Sequence, residues 1–74
     1  MMKYKTDYVF VKLYGRICEK YGSIVEFADV IGKSRQFVSN VLKEISFLNT
    51  NQIVEWAELL DIDGTEIYPY FFQK

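Results

Sequence analysis

The chain has 74 residues, half of them hydrophobic and 18% aromatic, with a net charge of −1. A domain of this size hides only about 60% of the surface its unfolded chain exposes, so its core must be dense and a large interior substrate cavity is excluded. A single cysteine, Cys18, excludes an intramolecular disulfide, and no apolar run of about 18 residues offers a membrane helix.

The apolar spacing is helical almost throughout. Phe10, Leu13, Tyr14, Ile17, Cys18 and Tyr21 recur at three and four residues, with Lys12, Arg16 and Lys20 opposite. This predicts a first helix from about Tyr8 to Lys20, stopped by Gly22, with Cys18 as a core residue. Ser23 opens a second helix and Glu26 follows three residues on, a capping box. Ile24, Phe27, Ala28 and Ile31 form its stripe, and Gly32 is a left-handed stop. Ser34 caps a third helix, about Arg35 to Lys43. In it Val38, Val41 and Leu42, with Ile45 beyond, face the core, while Arg35, Gln36, Ser39, Asn40 and Lys43 face out.

Asn49 with Gln52 caps a fourth helix, where Leu48 can staple to Ile53 and the stripe is Ile53, Trp56, Ala57 and Leu60. Asp63 with Glu66 repeats the device for a fifth, with Ile62 stapling to Ile67, and Pro69 limits that helix to about a turn. Tyr70, Phe71 and Phe72 close the chain as part of an aromatic tail, residues 68–74. No segment alternates long enough for a strand. The class is all-α, five short helices in a single domain, 1–74.

The charge is unevenly spread. Residues 1–43 carry eight Lys and Arg against four acids, whereas residues 44–74 carry Lys74 against six acids. From Lys33 to Lys43 there are three cations and no acid. That stretch lies within the most informative segment, about 24–43: two short helices joined by a three-residue turn with a glycine, a helix-turn-helix arrangement. Close crossing of the helices demands a small residue, Ala28. The turn demands a positive φ, Gly32. The second helix must place two apolar residues inward three apart, Val38 and Val41, and Phe27 and Ile31 complete the wedge.

Phe27-Ala28, Gly32, Ser34, Val38 and Val41 together resemble the helix-turn-helix of phage repressor and Cro-type regulators. Leu13, the Gly22-Ser23 junction, Trp56-Ala57 with Leu60, and Leu60-Asp61-Ile62 are similar to that family too. The Asp7-Tyr8 start, Gly15-Arg16-Ile17-x-Glu19-Lys20-Tyr21-Gly22 and Tyr70-Phe71-Phe72 resemble a group of small phage-encoded proteins presumed to bind DNA. The resemblance implies a phage or prophage transcriptional regulator, located in the cytoplasm of a bacterial host, that binds an operator in double-stranded DNA.

The resemblance also implies residue roles. Arg35 and Gln36, first after the cap, would reach base edges, joined by Asn40 a turn later. Arginine suits guanine O6 and N7, while Gln and Asn suit adenine N6 and N7. Ser39 could meet a base or a phosphate. Lys33, Ser34, Lys43, and Asn49, Thr50 and Asn51 at the start of the fourth helix are candidates for phosphate contacts, although capping accounts equally well for Asn49 and Thr50. Two positions depart from the family pattern. Ile24 stands where Gln often holds a phosphate, and Phe37 stands where a small polar residue is usual, so it either packs on a thymine methyl or turns inward.

Catalysis is not expected. No histidine is present, no phosphate-cradling glycine loop occurs, and no cofactor or metal is implied. Glu55, Glu58 and Asp61 read as a solvated helix face. Regulators of this kind usually form homodimers whose two reading helices sit about 34 Å apart. Tyr68 to Phe72 is a candidate dimer surface, with folding onto its own core the alternative. The rival function is a protein-interaction module that modulates a partner regulator through its acidic fourth and fifth helices.

Overall fold

Helix α1 spans Val11–Tyr21, α2 Ile24–Ile31, α3 Arg35–Leu42 and α4 Thr50–Leu59, and a 3₁₀ turn at Gly64–Glu66 leads into α5, Ile67–Phe71. These elements come from a computed structural model that describes residues 8–73. No strand occurs among the described residues, so the fold is all-α. Asp7 and Lys74, which entered the reading above, lie outside them.

The first helix starts three residues later than the spacing predicts. Val9 and Phe10 donate their backbone N–H groups to the carbonyl of Leu42, at 2.8 and 3.1 Å. That long-range tie holds the entry in a non-helical path, and α1 has no side-chain N-cap. Gly22 ends it at φ 91, and its N–H closes on the carbonyl of Cys18. Cys18 itself is only half-buried. It lies one turn from Tyr14, and contact with the Cys18 thiol raises the Tyr14 phenol above its ordinary pKa.

Capping follows the sequence closely in the middle of the chain. Ser23 Oγ accepts from the N–H of Glu26, but the Glu26 side chain does not return the bond, so only half of that box forms; Ser34 Oγ accepts from the N–H of Phe37. Asn49 and Gln52 form the complete reciprocal box. Such caps satisfy amides that a helix start leaves without partners.

Three helix ends share one design. In each, a left-handed residue lets the chain fold its next two N–H groups back on the last turn. Gly32 does this after α2 at φ 71, with Lys33 N–H reaching Ala28 O. Glu44 does it after α3 at φ 66, with Ile45 N–H reaching Asn40 O at 2.8 Å. Asp61 does it after α4 at φ 57, with Ile62 N–H reaching Ala57 O. The stop at Glu44 corrects the expectation for Ile45. The helix is over by then, and Ile45 is 64% exposed rather than in the core.

The core gathers Leu13 and Ile17 of α1, Phe27 and Ala28 of α2, Val38, Val41 and Leu42 of α3, and Trp56, Ala57 and Leu60 around α4. Phe27 meets Trp56 edge to face, with ring centroids 4.9 Å apart, the geometry that ring quadrupoles favour. Tyr21 donates its hydroxyl to Leu59 O at 2.8 Å, and Lys20 pairs with Asp61, tying α1 to the end of α4.

The tail divides. Tyr70 and Phe71 are buried, and Tyr70 accepts a hydrogen bond from Arg16 while Lys12 lies over its ring. Tyr68 and Phe72 stay exposed and stack on each other. Pro69 does not end α5. It sits in the first turn, where its missing N–H has no partner to lose. Asp63 caps toward Thr65 rather than Glu66.

Candidate nucleic-acid interface

The α2–turn–α3 unit is built so that one face of α3 is fixed and the other is open. Val38 and Leu42 are fully buried and Val41 nearly so. A helix seated by three aliphatic side chains cannot roll without breaking those contacts, so its outward side chains have a defined bearing. Arg35 and Gln36 are exposed at its start, directly after the Ser34 cap. Lys33 in the turn is exposed too, and its Nζ stands 5.7 Å above the Phe37 ring.

Gln36 and Asn40 are joined. Gln36 Nε2 donates to Asn40 Oδ1 at 2.8 Å on the face opposite Val38 and Leu42. The spacing of four residues stacks them on consecutive turns. The spacing of the two amides is legible in the sequence, whereas the hydrogen bond between them is not.

One side chain does not sit as expected, and for another the structure separates two alternatives. Ser39 is buried, at 9% exposure, and so leaves the set of outward residues. It lies on the flank of the stripe formed by Val38, Val41 and Leu42. Phe37 is half-buried and packs edge-on against Trp56 at 6.5 Å, so it turns inward rather than presenting itself to a thymine methyl.

The phosphate candidates lie in the turn before α3, at its end and at the start of α4. Lys43, at the C-cap of α3, is half-buried, and Thr50 and Asn51 are exposed at the start of α4. The carbonyl of the Asn49 side chain is engaged by Gln52 N–H at 2.8 Å, so capping fully accounts for that atom. The Ser34 oxygen likewise accepts from the helix, while its own hydroxyl proton remains a donor. No acid lies between Lys33 and Lys43.

A second surface was not anticipated. The turn after α3 carries Phe47, 74% exposed, beside Ile45. Next to it lies a cleft of about 130 Å³ lined by Phe10, Leu13, Val41, Leu48, Ile53 and Phe72, among others. Elsewhere, no helix of the described residues is long and apolar enough to cross a membrane.

The family model described as Protein of unknown function (DUF739) matches residues 4–74. No curated protein matches the chain.

Proposed function

The chain belongs to the DUF739 family, and we propose that it binds double-stranded DNA sequence-specifically, as a transcriptional regulator of the phage repressor and Cro kind. The observation that carries this is the start of α3. There Arg35 and Gln36 project from a helix locked by Val38 and Leu42, in a stretch with three cations and no acid. A helix of this diameter fits the major groove, where each base pair presents a distinct pattern. Arg35 offers guanine a two-pronged contact, and Gln36 offers adenine a donor and an acceptor. Lys33, Lys43, the Ser34 hydroxyl and the exposed start of α4 hold phosphates and set the register. A homodimer on a two-fold operator doubles the bases read.

Fluorescence anisotropy on DNA selected from a random pool, against a scrambled control, tests the reading. The selected site should bind more tightly, and affinity should fall with salt by a slope of about −0.9 per phosphate contact in a log–log plot. Failure to select any sequence would defeat it.

A second reading, binding of a partner regulator, draws support from the exposed Ile45 and Phe47 beside the apolar cleft. Exposed apolar side chains clustered around a concavity mark contact surfaces. They do not lie on the acidic helices that the sequence suggested for this role. Both functions can coexist, because the cleft and the start of α3 use different side chains.

A further inference from the structure

We propose that Gln36 and Asn40 act as one reading unit for a single adenine, with Gln36 touching the base and Asn40 orienting its amide. The proposal rests on the DNA-binding reading above and names what one part of that face recognises. Its basis is the 2.8 Å hydrogen bond from Gln36 Nε2 to Asn40 Oδ1 on the outer side of α3. Two amides one turn apart would otherwise be two independent readers of two base pairs. Joined, they are not.

The chemistry assigns the roles. Gln36 Nε2 carries two protons and spends one on Asn40. The amide keeps its other proton and its carbonyl oxygen, a donor and an acceptor on one group. Adenine complements that pattern with N7 and its N6 amino group, whereas guanine shows two acceptors and would set O6 against the Gln36 oxygen. An unrestrained glutamine can rotate to either pattern and must be immobilised on binding, a cost that a pre-set side chain avoids. Asn40 is well placed to do the setting. It is half-buried, and its backbone carbonyl accepts both Ile45 N–H and Ser46 N–H, so the turn that carries it is held. Asn40 is therefore a positioning residue, with its carbonyl oxygen turned to the Gln36 amide rather than left to read a second base independently.

The test uses the full chain and a random DNA pool. Wild type, Gln36→Ala, Asn40→Ala, Asn40→Asp and the double alanine variant are each selected and sequenced, with folding checked by circular dichroism. Wild type should show adenine at one position per half-site. Gln36→Ala and Asn40→Ala should flatten that same position, each by roughly tenfold, which is about what one two-pronged contact discriminates. The double variant should be no flatter than Gln36→Ala alone. Asn40→Asp keeps an oxygen acceptor for Gln36, so it should retain the adenine while weakening all sequences through repulsion from phosphates. Loss of preference at a different base pair in Asn40→Ala would overturn the unit and leave DNA reading intact. So would multiplying losses in the double variant, or an Asn40→Asp profile as flat as that of Asn40→Ala. A wild-type protein that selects no sequence would remove both proposals together.

Discussion

Helix α3 and the turn that follows it present opposite chemistry to solvent. The helix buries Val38, Val41 and Leu42 and exposes Arg35 and Gln36. The turn, beginning two residues beyond the helix, exposes Ile45 and Phe47 at 64% and 74%. The first is a saturated packing arrangement, since its apolar side chains are satisfied within the chain and only polar groups remain for a partner. The second leaves apolar area in water at a few tens of calories per Å², a standing cost that a contact would relieve. Two adjoining segments therefore suit two different kinds of partner.

The largest effect should come from making one chemical change in the packed core beneath α3 and in the exposed turn. Phe27 is fully buried against Trp56 and Tyr21. Phe27→Ala should cost about 3–5 kcal/mol in urea unfolding, close to the whole stability of a domain this small. Phe47→Ala should stay within about 0.5 kcal/mol, because the ring is mostly in water already. A comparable loss from both would mean that the Phe47 turn is packed in solution and that the contrast is false.

Binding sharpens the same contrast next. Arg35→Ala should cost about 1–3 kcal/mol on the selected site and relax one base pair per half-site, with far less change on scrambled DNA. Lys43→Ala should weaken both DNAs alike and lower the salt slope by about one contact. Phe47→Ala should change neither number if the turn serves another partner. Equal losses on both DNAs from Arg35→Ala would take Arg35 out of base reading.

The stops that bound the two regions should differ in sign. Gly32 sits at φ 71, where a side chain is strained, so Gly32→Ala should lower stability by about 1–2 kcal/mol. Glu44 sits at φ 66, so of two variants that both lose its side chain, Glu44→Gly should be more stable than Glu44→Ala by a few tenths to about 1 kcal/mol. Thermal melts of the three variants give both signs directly.

What the sequence disclosed divides along the same physical line. The caps Ser23, Ser34 and Asn49 and the stop at Gly32 were legible because each is settled within four residues of chain. The stops at Glu44 and Asp61 were hidden, because neither residue type announces a left-handed backbone. A helix continued past Glu44 would turn Ile45 to the core, whereas the stop leaves it in solvent. The late start of α1 was hidden for another reason, since the Leu42 carbonyl that competes for Val9 and Phe10 lies more than thirty residues away. On the outer side of α3, helix periodicity places Gln36 and Asn40 outward but misplaces Ser39, which lies on the flank of the core stripe and is buried.

The smallest expected effect concerns the frame that holds both regions. Lys20 Nζ lies 2.8 Å from Asp61 Oδ2, joining α1 to the stop after α4, and Asp61 is largely in water. The hydrogen bond and charge of Lys20 hold the Asp61 carboxyl below its ordinary value of 3.8. A carboxyl lowered in the folded state favours folding while it is ionised. Its contribution is complete above the unfolded value and disappears as pH falls through the folded one. Asp61→Asn removes the charge but keeps a residue that tolerates the left-handed turn. Wild type and variant should therefore differ by a small, constant amount near neutral pH and converge as pH drops below about 4. Added salt should shrink the neutral-pH difference, since an exposed pair is screened. DNA affinity and the environment of Phe47 should not change at pH 7. A difference that grows toward low pH would reverse the sign, and would mean that the Asp61 carboxyl is raised on folding and that the Lys20 pair does not hold the end of α4.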